Sequence, residues 1–278
     1  MASQFKTDYF TFNGIDSQDY GFRIVTVGSS SSETTVNGLT KTLNEESGIG
    51  DLKQLISTSY EYQDFEIQIC KMSGNTLLPI TDSDTFFINA WLMNVSGYKA
   101  LEYDGLCVYG MFTKGSNFKN TGLQGYFNLT FHAQPYARSN SIMETVNLYS
   151  LSGGDVTKEI VLENKSNVGE ALELSDINVC LEGATEIIIT NLTTGKAFRM
   201  SGLTSANEKQ FTIFCDGLHY IQSDIDQDLN MLKYVDSTKK NFLSLVYGTN
   251  RVSIKVVGLS ANTMATVTFK YSCKVQYQ

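Results

Sequence analysis

Apolar and polar residues alternate with a period of two along most of this chain, the pattern of strands with one face on a core and one in water. Phe65, Ile67 and Ile69 fall on one side and Glu66 and Gln68 on the other. Phe127, Leu129 and Phe131 alternate in the same way with Asn128, Thr130 and His132. In the second half the short runs Ile177/Val179/Leu181, Ile187/Ile189, Phe211/Ile213/Cys215 and Val252/Ile254/Val256 repeat the signal. The cleanest run closes the chain. Val267, Phe269, Tyr271, Cys273, Val275 and Tyr277 take one face, and Thr266, Thr268, Lys270, Ser272, Lys274 and Gln276 the other. Such alternation predicts antiparallel sheets, and in the second half a sandwich.

One stretch departs from period two. Thr81-Asp82-Ser83-Asp84 supplies N-cap residues, and Phe87, Trp91 and Val95 then recur at i, i+4 and i+8 before Gly97. That spacing predicts a helix with an apolar stripe, with Trp91 in the core rather than on the surface as a sugar platform. No convincing helix is expected after it. At the start, Tyr9 to Val25 reads YFTFNGIDSQDYGFRIV. Asn and Gly adopt positive φ at little cost, so a short aromatic strand should reverse at Asn13-Gly14. Asp16 and Asp19 then read as turn residues.

The texture changes near Pro135. Residues 137–158 are polar and become Gly/Ser-rich, which suggests two domains, 1–138 and 156–278, joined by a linker over 139–155. The serine run Ser29–Ser32 and the stretch Ser47–Asp51 read as mobile loops. Composition supports the β reading, with 22 glycines, two prolines and many Tyr, Phe, Val, Ile and Thr. A chain of 278 residues buries roughly 70–75% of its unfolded surface, so it needs no disulfide or metal to hold a fold.

Charge and cysteine usage narrow the function classes. The net charge is −8 and neither half is basic, which disfavours nucleic acid as a partner. No apolar run approaches the ~18 residues of a membrane span, and MASQFKTDYF lacks the basic and apolar regions of a signal peptide. Cys70, Cys107, Cys180, Cys215 and Cys273 are scattered and odd in number, as expected of reduced thiols. Cys273 falls on an apolar strand face and reads as a small core residue.

Candidate chemistry is sparse. His132 and His219 are the only histidines, and no Gly-x-Ser-x-Gly elbow offers either a nucleophile. Asp224, Asp226 and Asp228 have the spacing of the front of a calcium loop. Leu229 stands where that loop needs Gly and Val235 where it needs a bidentate Glu, so a solvated acidic turn is the better reading. Zinc spacing and a phosphate loop are absent, and no carboxylate pair is promoted for glycoside hydrolysis. The sequons at Asn94, Asn128, Asn164 and Asn191 carry little meaning without an export signal. No catalytic, cofactor-binding or metal-binding residue is therefore assigned, no cofactor is expected, and the protein is not expected to be an enzyme.

The order of short motifs adds a resemblance. FxFNG followed by SxDYG at the start, Trp91-Leu92 in the helix and FHAQPYA at 131–137 come first. They are followed by IVLENKSNVGEA at 160–171, IIITNLTTGKAF at 187–198, IFCDGLHYIQSD at 213–224 and FLSLVYGTNRVSI at 242–254. In this order they resemble the distal tail proteins of long-tailed, non-contractile bacteriophages. The resemblance implies a mainly β chain, with an N-terminal ring-forming domain carrying one helix and a C-terminal, galectin-like antiparallel sandwich. It also implies a homo-oligomeric ring, typically of six copies, at the distal end of the virion tail. Such a ring joins the tail tube to the tail-tip or tail-associated protein and docks receptor-binding proteins, with no nucleic acid contact and no membrane insertion. Assembly would take place in the host cytoplasm. Some relatives carry carbohydrate-binding insertions, for which this chain has no spare length. The alternative from another class is a carbohydrate-binding adhesin whose sandwich touches host cell-wall glycan directly.

Overall fold

In the computed structural model, residues 4–28, 41–47, 53–115, 119–120, 125–168, 171–217 and 219–275 are described. The chain is mainly β and divides into two compact units, one reaching Ser139 and one spanning Asn140–Val275. The stretches read as loops at Ser29–Ser32 and after Ser47 lie outside the described residues.

The first unit is built on one antiparallel sheet. Its strands run in the order Gln4–Asp8, Phe22–Gly28, Gln63–Ser73, Gly125–Ala133, Leu106–Gly115, Lys99–Tyr103, Thr11–Phe12 and Ile15–Asp16. The alternation read from the sequence sets its register, since Ile69 pairs with Phe127 and Ile67 with Leu129, all four on the buried face. Phe12, Phe112 and Phe131 meet edge to face across that surface. Gly110 is required there, because a Cβ would lie 2.4 Å from the His132 carbonyl oxygen and 2.6 Å from the Phe131 ring.

The helix covers this face, and it differs from the sequence expectation in one respect. Regular α-helix occupies only Asp82–Ile88, and Asn89–Met93 widens into a π turn closed by Asn94 N–H donating to the Asn89 carbonyl at 3.0 Å. The start is as expected. Thr81 caps Asp84 N–H and Asp84 returns a bond to Thr81 N–H at 2.9 Å, a reciprocal capping box. Burial works against charge on Asp84, but bonds from Lys71 and Thr81 outweigh it and hold the carboxyl below its ordinary value.

The second unit is a sandwich of two five-stranded antiparallel sheets. The first runs Ile142–Ser150, Thr263–Tyr271, Asp176–Leu181, Gln210–Phe214 and Tyr220–Ser223. The second runs Gly154–Asn164, Gly248–Leu259, Glu186–Asn191, Lys196–Ser201 and Val235–Lys240. Their inner faces share an aliphatic core that includes Leu148, Leu162, Ile187, Ile189, Ile254 and Val267.

Two expectations are corrected here. The segment 139–155 is not a linker, because Ile142–Ser150 and the start of Gly154–Asn164 are the edge strands of the two sheets, turned at Gly153-Gly154 with φ of 79° and 104°. An edge strand presents one polar face to water, and that polarity gave the segment its linker-like texture. The closing strand also breaks. It runs Thr263–Tyr271 and resumes only at Lys274–Val275, although Cys273 stays buried as the alternation requires. The helices of this half among the described residues are single turns at Ala206–Lys209 and Met231–Tyr234.

Candidate functional site

The opening motif works as a structural knot. Thr11–Phe12 and Ile15–Asp16 pair across Asn13-Gly14, which take φ of 51° and 77°, the two-residue hairpin its spelling predicts. Asp16 Oδ1 then accepts from Gln18 N–H at 2.8 Å and starts a 3₁₀ turn over Ser17–Tyr20, which ends at Gly21 with φ of 73°. Ser17 is fully buried; its hydroxyl accepts from Phe10 N–H and its own N–H donates to the Phe10 carbonyl, both at 2.9 Å. Gly21 lies so close to Met72 that a Cβ would meet the Met72 carbonyl at 3.0 Å. Trp91 seals the knot from above. It stacks on Phe10 at 5.4 Å, and its indole N–H donates to the Phe12 carbonyl at 3.1 Å. Trp91 is thus a core residue, and Asp16 and Asp19 belong to a turn.

The residues considered for chemistry do not converge. His132 Nδ1 lies 2.5 Å from Asp64 Oδ1, and its ring stacks with Tyr62 and Tyr98 on the surface of the first unit. His219 belongs to the second unit, 3.5 Å from Glu173 and stacked on Phe242 at 4.5 Å. Asp224 accepts from the Thr212 hydroxyl at 2.9 Å, and Asp226 accepts from Asp228 N–H at 3.3 Å. The three aspartates serve their own turn and strand rather than a shared centre. Burial pushes the Cys70 thiol up to about 11 and the Cys215 thiol up to about 12, so neither supplies a thiolate near neutral pH.

Two of the sequon asparagines have a structural use that the sequence reading missed. Asn164 and Asn191 are buried, and with Asn250 each bonds the backbone of the strand Ser244–Val246 inside the sandwich. Asn191 Oδ1 accepts from Thr193 and Thr194 N–H in the Thr-Thr-Gly turn, while its Nδ2 donates to the Ser244 carbonyl at 2.9 Å. Asn250 takes Val246 N–H at 3.0 Å and donates to the Val246 and Gly248 carbonyls at 2.8 and 3.0 Å. Asn164 donates to the Leu245 carbonyl at 3.0 Å. A signal was present: Asn before a Thr-Thr-Gly turn is an Asx-turn spelling.

The strongest candidate for a functional surface is a ribbon in the first unit. Lys41–Ser47 pairs with Lys53–Tyr60, with a bulge between Asn44 and Glu45, and among the described residues it joins no other strand. Leu43, Leu55 and Ile56 are 54%, 54% and 50% exposed on it. A two-stranded ribbon is marginal in water, and apolar side chains along one mark a contact surface. Among the described residues, Gln4–Asp8 and Ile15–Asp16 stand at the two ends of the sheet order, and an edge strand is a template for pairing with another chain. Sequence reasoning missed the ribbon because Leu43, Leu55 and Ile56 stand among Thr, Ser, Glu and Gln without a sustained alternation.

Residues 5–134 match a family model described as the phage tail protein N-terminal domain. No curated protein matches the chain in sequence. Among solved structures, the Dit protein (gp 19.1) of phage SPP1 aligns with a TM-score of 0.56 at 12% identity, over 95% of this chain and 98% of its own. That protein is described as a paradigm of the hub adsorption apparatus in phages infecting Gram-positive hosts, and the likeness is one of fold. A chain of the phage P2 baseplate, in its activated conformation with calcium, aligns over 96% of this chain and 98% of its own at 11% identity. Its TM-score of 0.44 is too low to add to the fold argument.

Proposed function

We propose that this chain, with a phage tail protein N-terminal domain over residues 5–134, is the distal tail protein of a long-tailed, non-contractile phage. It acts as a structural subunit and not as an enzyme. Copies close into a ring, six by family resemblance, between the tail tube and the tail-tip or tail-associated protein, and the ring docks receptor-binding proteins. It is made in the host cytoplasm and ends in the virion at the distal end of the tail.

The observation that carries this reading is the family match, which falls on the half containing the Asn13-Gly14 knot, the Trp91 lid and the exposed ribbon. The fold likeness to a phage hub protein over 95% of the chain supports it. The surface has the features of a subunit that works by association. Among the described residues, a ribbon that joins no other strand bears half-exposed leucine and isoleucine, and the sheet order ends in edge strands. A closed ring satisfies each such surface with the complementary one of the next copy and leaves none open.

The test is the assembly state of the full chain, by light scattering and negative-stain imaging, alone and with its tail-tube and tail-tip partners. Annular particles of uniform copy number are expected. A monomer under every condition, with no ring beside those partners, overturns the reading.

A further inference from the structure

The hairpin at the start of the chain holds a labile group in a conformation that keeps it inert. Asn13 and Gly14 are both exposed, and nothing lies within 4 Å of where a Cβ on Gly14 would sit. An asparagine before glycine is open to attack by its own main chain, because glycine offers its amide nitrogen without a Cβ in the way. Asn13 and Gly14 take φ of 51° and 77°, the two-residue turn with positive φ at both positions. In that turn ψ of the first residue is about +30°. The Gly14 nitrogen then stands almost opposite Cβ of Asn13 across the Cα–C bond, whereas attack on Cγ needs the two nearly eclipsed. The turn is also held in place. Asn13 N–H donates to the Ala100 carbonyl at 3.0 Å, Phe12 pairs with both Ile15 and Leu101, and the Phe12 carbonyl accepts from the Trp91 indole at 3.1 Å.

We propose that Asn13 is a spontaneous modification site gated by the knot: inert while the hairpin is closed, converted once it opens, and unable to close again as isoaspartate. The step needs water only. In the open chain the Gly14 nitrogen gives up its proton and bonds to Asn13 Cγ. The bond from Cγ to the side-chain nitrogen breaks, and ammonia leaves with that proton. Water then opens the five-membered imide at either carbonyl. Opening at Cγ gives aspartate. Opening at the main-chain carbonyl gives isoaspartate, whose chain runs through Cβ and Cγ and is one methylene longer. A two-residue turn has no slack for an added atom, so Phe12 cannot keep its pairing with Ile15 and Leu101 together with the Trp91 bond. The new carboxylate also joins Asp16 within the same hairpin. Conversion in the folded protein therefore proceeds as the fraction of open knots times the rate in the unfolded chain. A chain that opens and forms isoaspartate is retired from the folded pool. The proposal concerns the isolated chain and does not rest on the ring reading.

The test follows Asn13 by peptide mass mapping of the full-length protein at mildly alkaline pH, folded and in urea above its unfolding midpoint. Conversion is expected to be at least tenfold slower in the folded protein, and to rise with urea already below the first unit's transition. Trp91→Ala, which removes the indole bond to Phe12, should speed conversion in the folded state at least tenfold and leave the rate in urea unchanged. Tyr247→Ala, in the second unit, should change neither rate. If Trp91→Ala fails to fold, the urea series on the parent protein decides the matter. A semisynthetic chain with isoaspartate built in at position 13 should show a lowered first-unit transition. Asn13→Asp, which adds the charge without the methylene, should move that transition less than half as far. Equal rates in folded and urea-unfolded protein, no acceleration in a folded Trp91→Ala variant, or an isoaspartate chain that unfolds with the parent's transition would each overturn the proposal.

Discussion

The two units solve the same problem, burying a sheet, by opposite means. The first has one main sheet and closes its inner face with a helix and large aromatics: Phe10, Phe12, Phe22, Phe112, Phe127, Phe131 and Trp91 dominate its core. The second has two sheets that cover one another, and its core is mostly leucine, isoleucine and valine. In this chain rings fill the space between helix and sheet, whereas the two facing sheets interdigitate mainly through branched aliphatics. The difference extends to polar groups. The first unit ties its helix to the sheet by the Trp91 indole bond to the Phe12 carbonyl and by Lys71 to Asp84, while in the second three buried asparagines bond the backbone of one strand, Ser244–Val246. It extends to the outside as well, since among the described residues the first unit holds a ribbon that joins no other strand and the second a sheet face of aligned polar side chains.

The largest expected effect breaks the lid. Trp91→Ala removes the stack on Phe10, the contact with Phe87 and the Phe12 bond, and should cost the first unit about 4 kcal/mol. Calorimetry should show one transition moving down and the other standing still. If both move equally, the two units unfold as one and the contrast between their cores has no thermodynamic meaning. Asn250→Ala is the reciprocal test. It leaves Val246 N–H and the Val246 and Gly248 carbonyls without their partner inside the sandwich, at a cost of about 3 kcal/mol to the second transition alone.

How much of this was legible follows from the kind of signal each feature leaves. Strand faces were readable because period two is a local property, and Ile67, Ile69, Phe127 and Leu129 are buried as their alternation requires. The Asn13-Gly14 hairpin and the Thr81 cap were readable because positive φ and orphan N–H groups demand particular residues. The π turn at Asn89–Met93 was not, because Trp91 takes its position from Phe10 and Phe12 far away in sequence. The strands replacing the expected linker were hidden for a related reason. Met143, Thr145, Asn147 and Tyr149 look outward, so half of Ile142–Ser150 reads as loop. The surfaces were least legible, since one rung of the sandwich's first sheet joins Thr145, Asn178, Thr212, Gln222 and Thr268, which only the folded register brings side by side.

Smaller effects sharpen the contrast at the surface. Thr81→Ala removes the reciprocal cap and should lower the first unit's stability by about 1 kcal/mol, visible in its transition midpoint. In the second unit, Glu208 accepts from the Tyr234 hydroxyl and from Ser205 and Thr204 N–H, and these bonds hold its pKa at about 2, against 4.5 ordinarily. A depressed carboxylate contributes in full above its unfolded pKa, and that contribution is lost as pH falls from about 4.5 toward 2. Glu208 is half-exposed, so the effect should stay below about 1 kcal/mol. Glu208→Gln should flatten the second transition's midpoint against pH in that window. An acid limb unchanged by the substitution would assign it to other carboxylates.

The smallest effect on stability should accompany the largest effect on association. Ile56 is 50% exposed on the ribbon, so Ile56→Lys removes little buried area from the isolated chain and should shift neither transition by more than about 0.5 kcal/mol. If the ribbon is a subunit contact, the lysine must be desolvated without a partner whenever copies meet, and annular particles should disappear at concentrations where the parent assembles. Asn178→Ala, on the polar face of the sandwich, is the matched control and should leave assembly intact. Loss of rings from both substitutions would place association on both units. Loss from neither would leave the end strands of the described sheet, Gln4–Asp8 and Ile15–Asp16, as the remaining route to a closed ring, since strand pairing there needs no apolar side chain to join two copies.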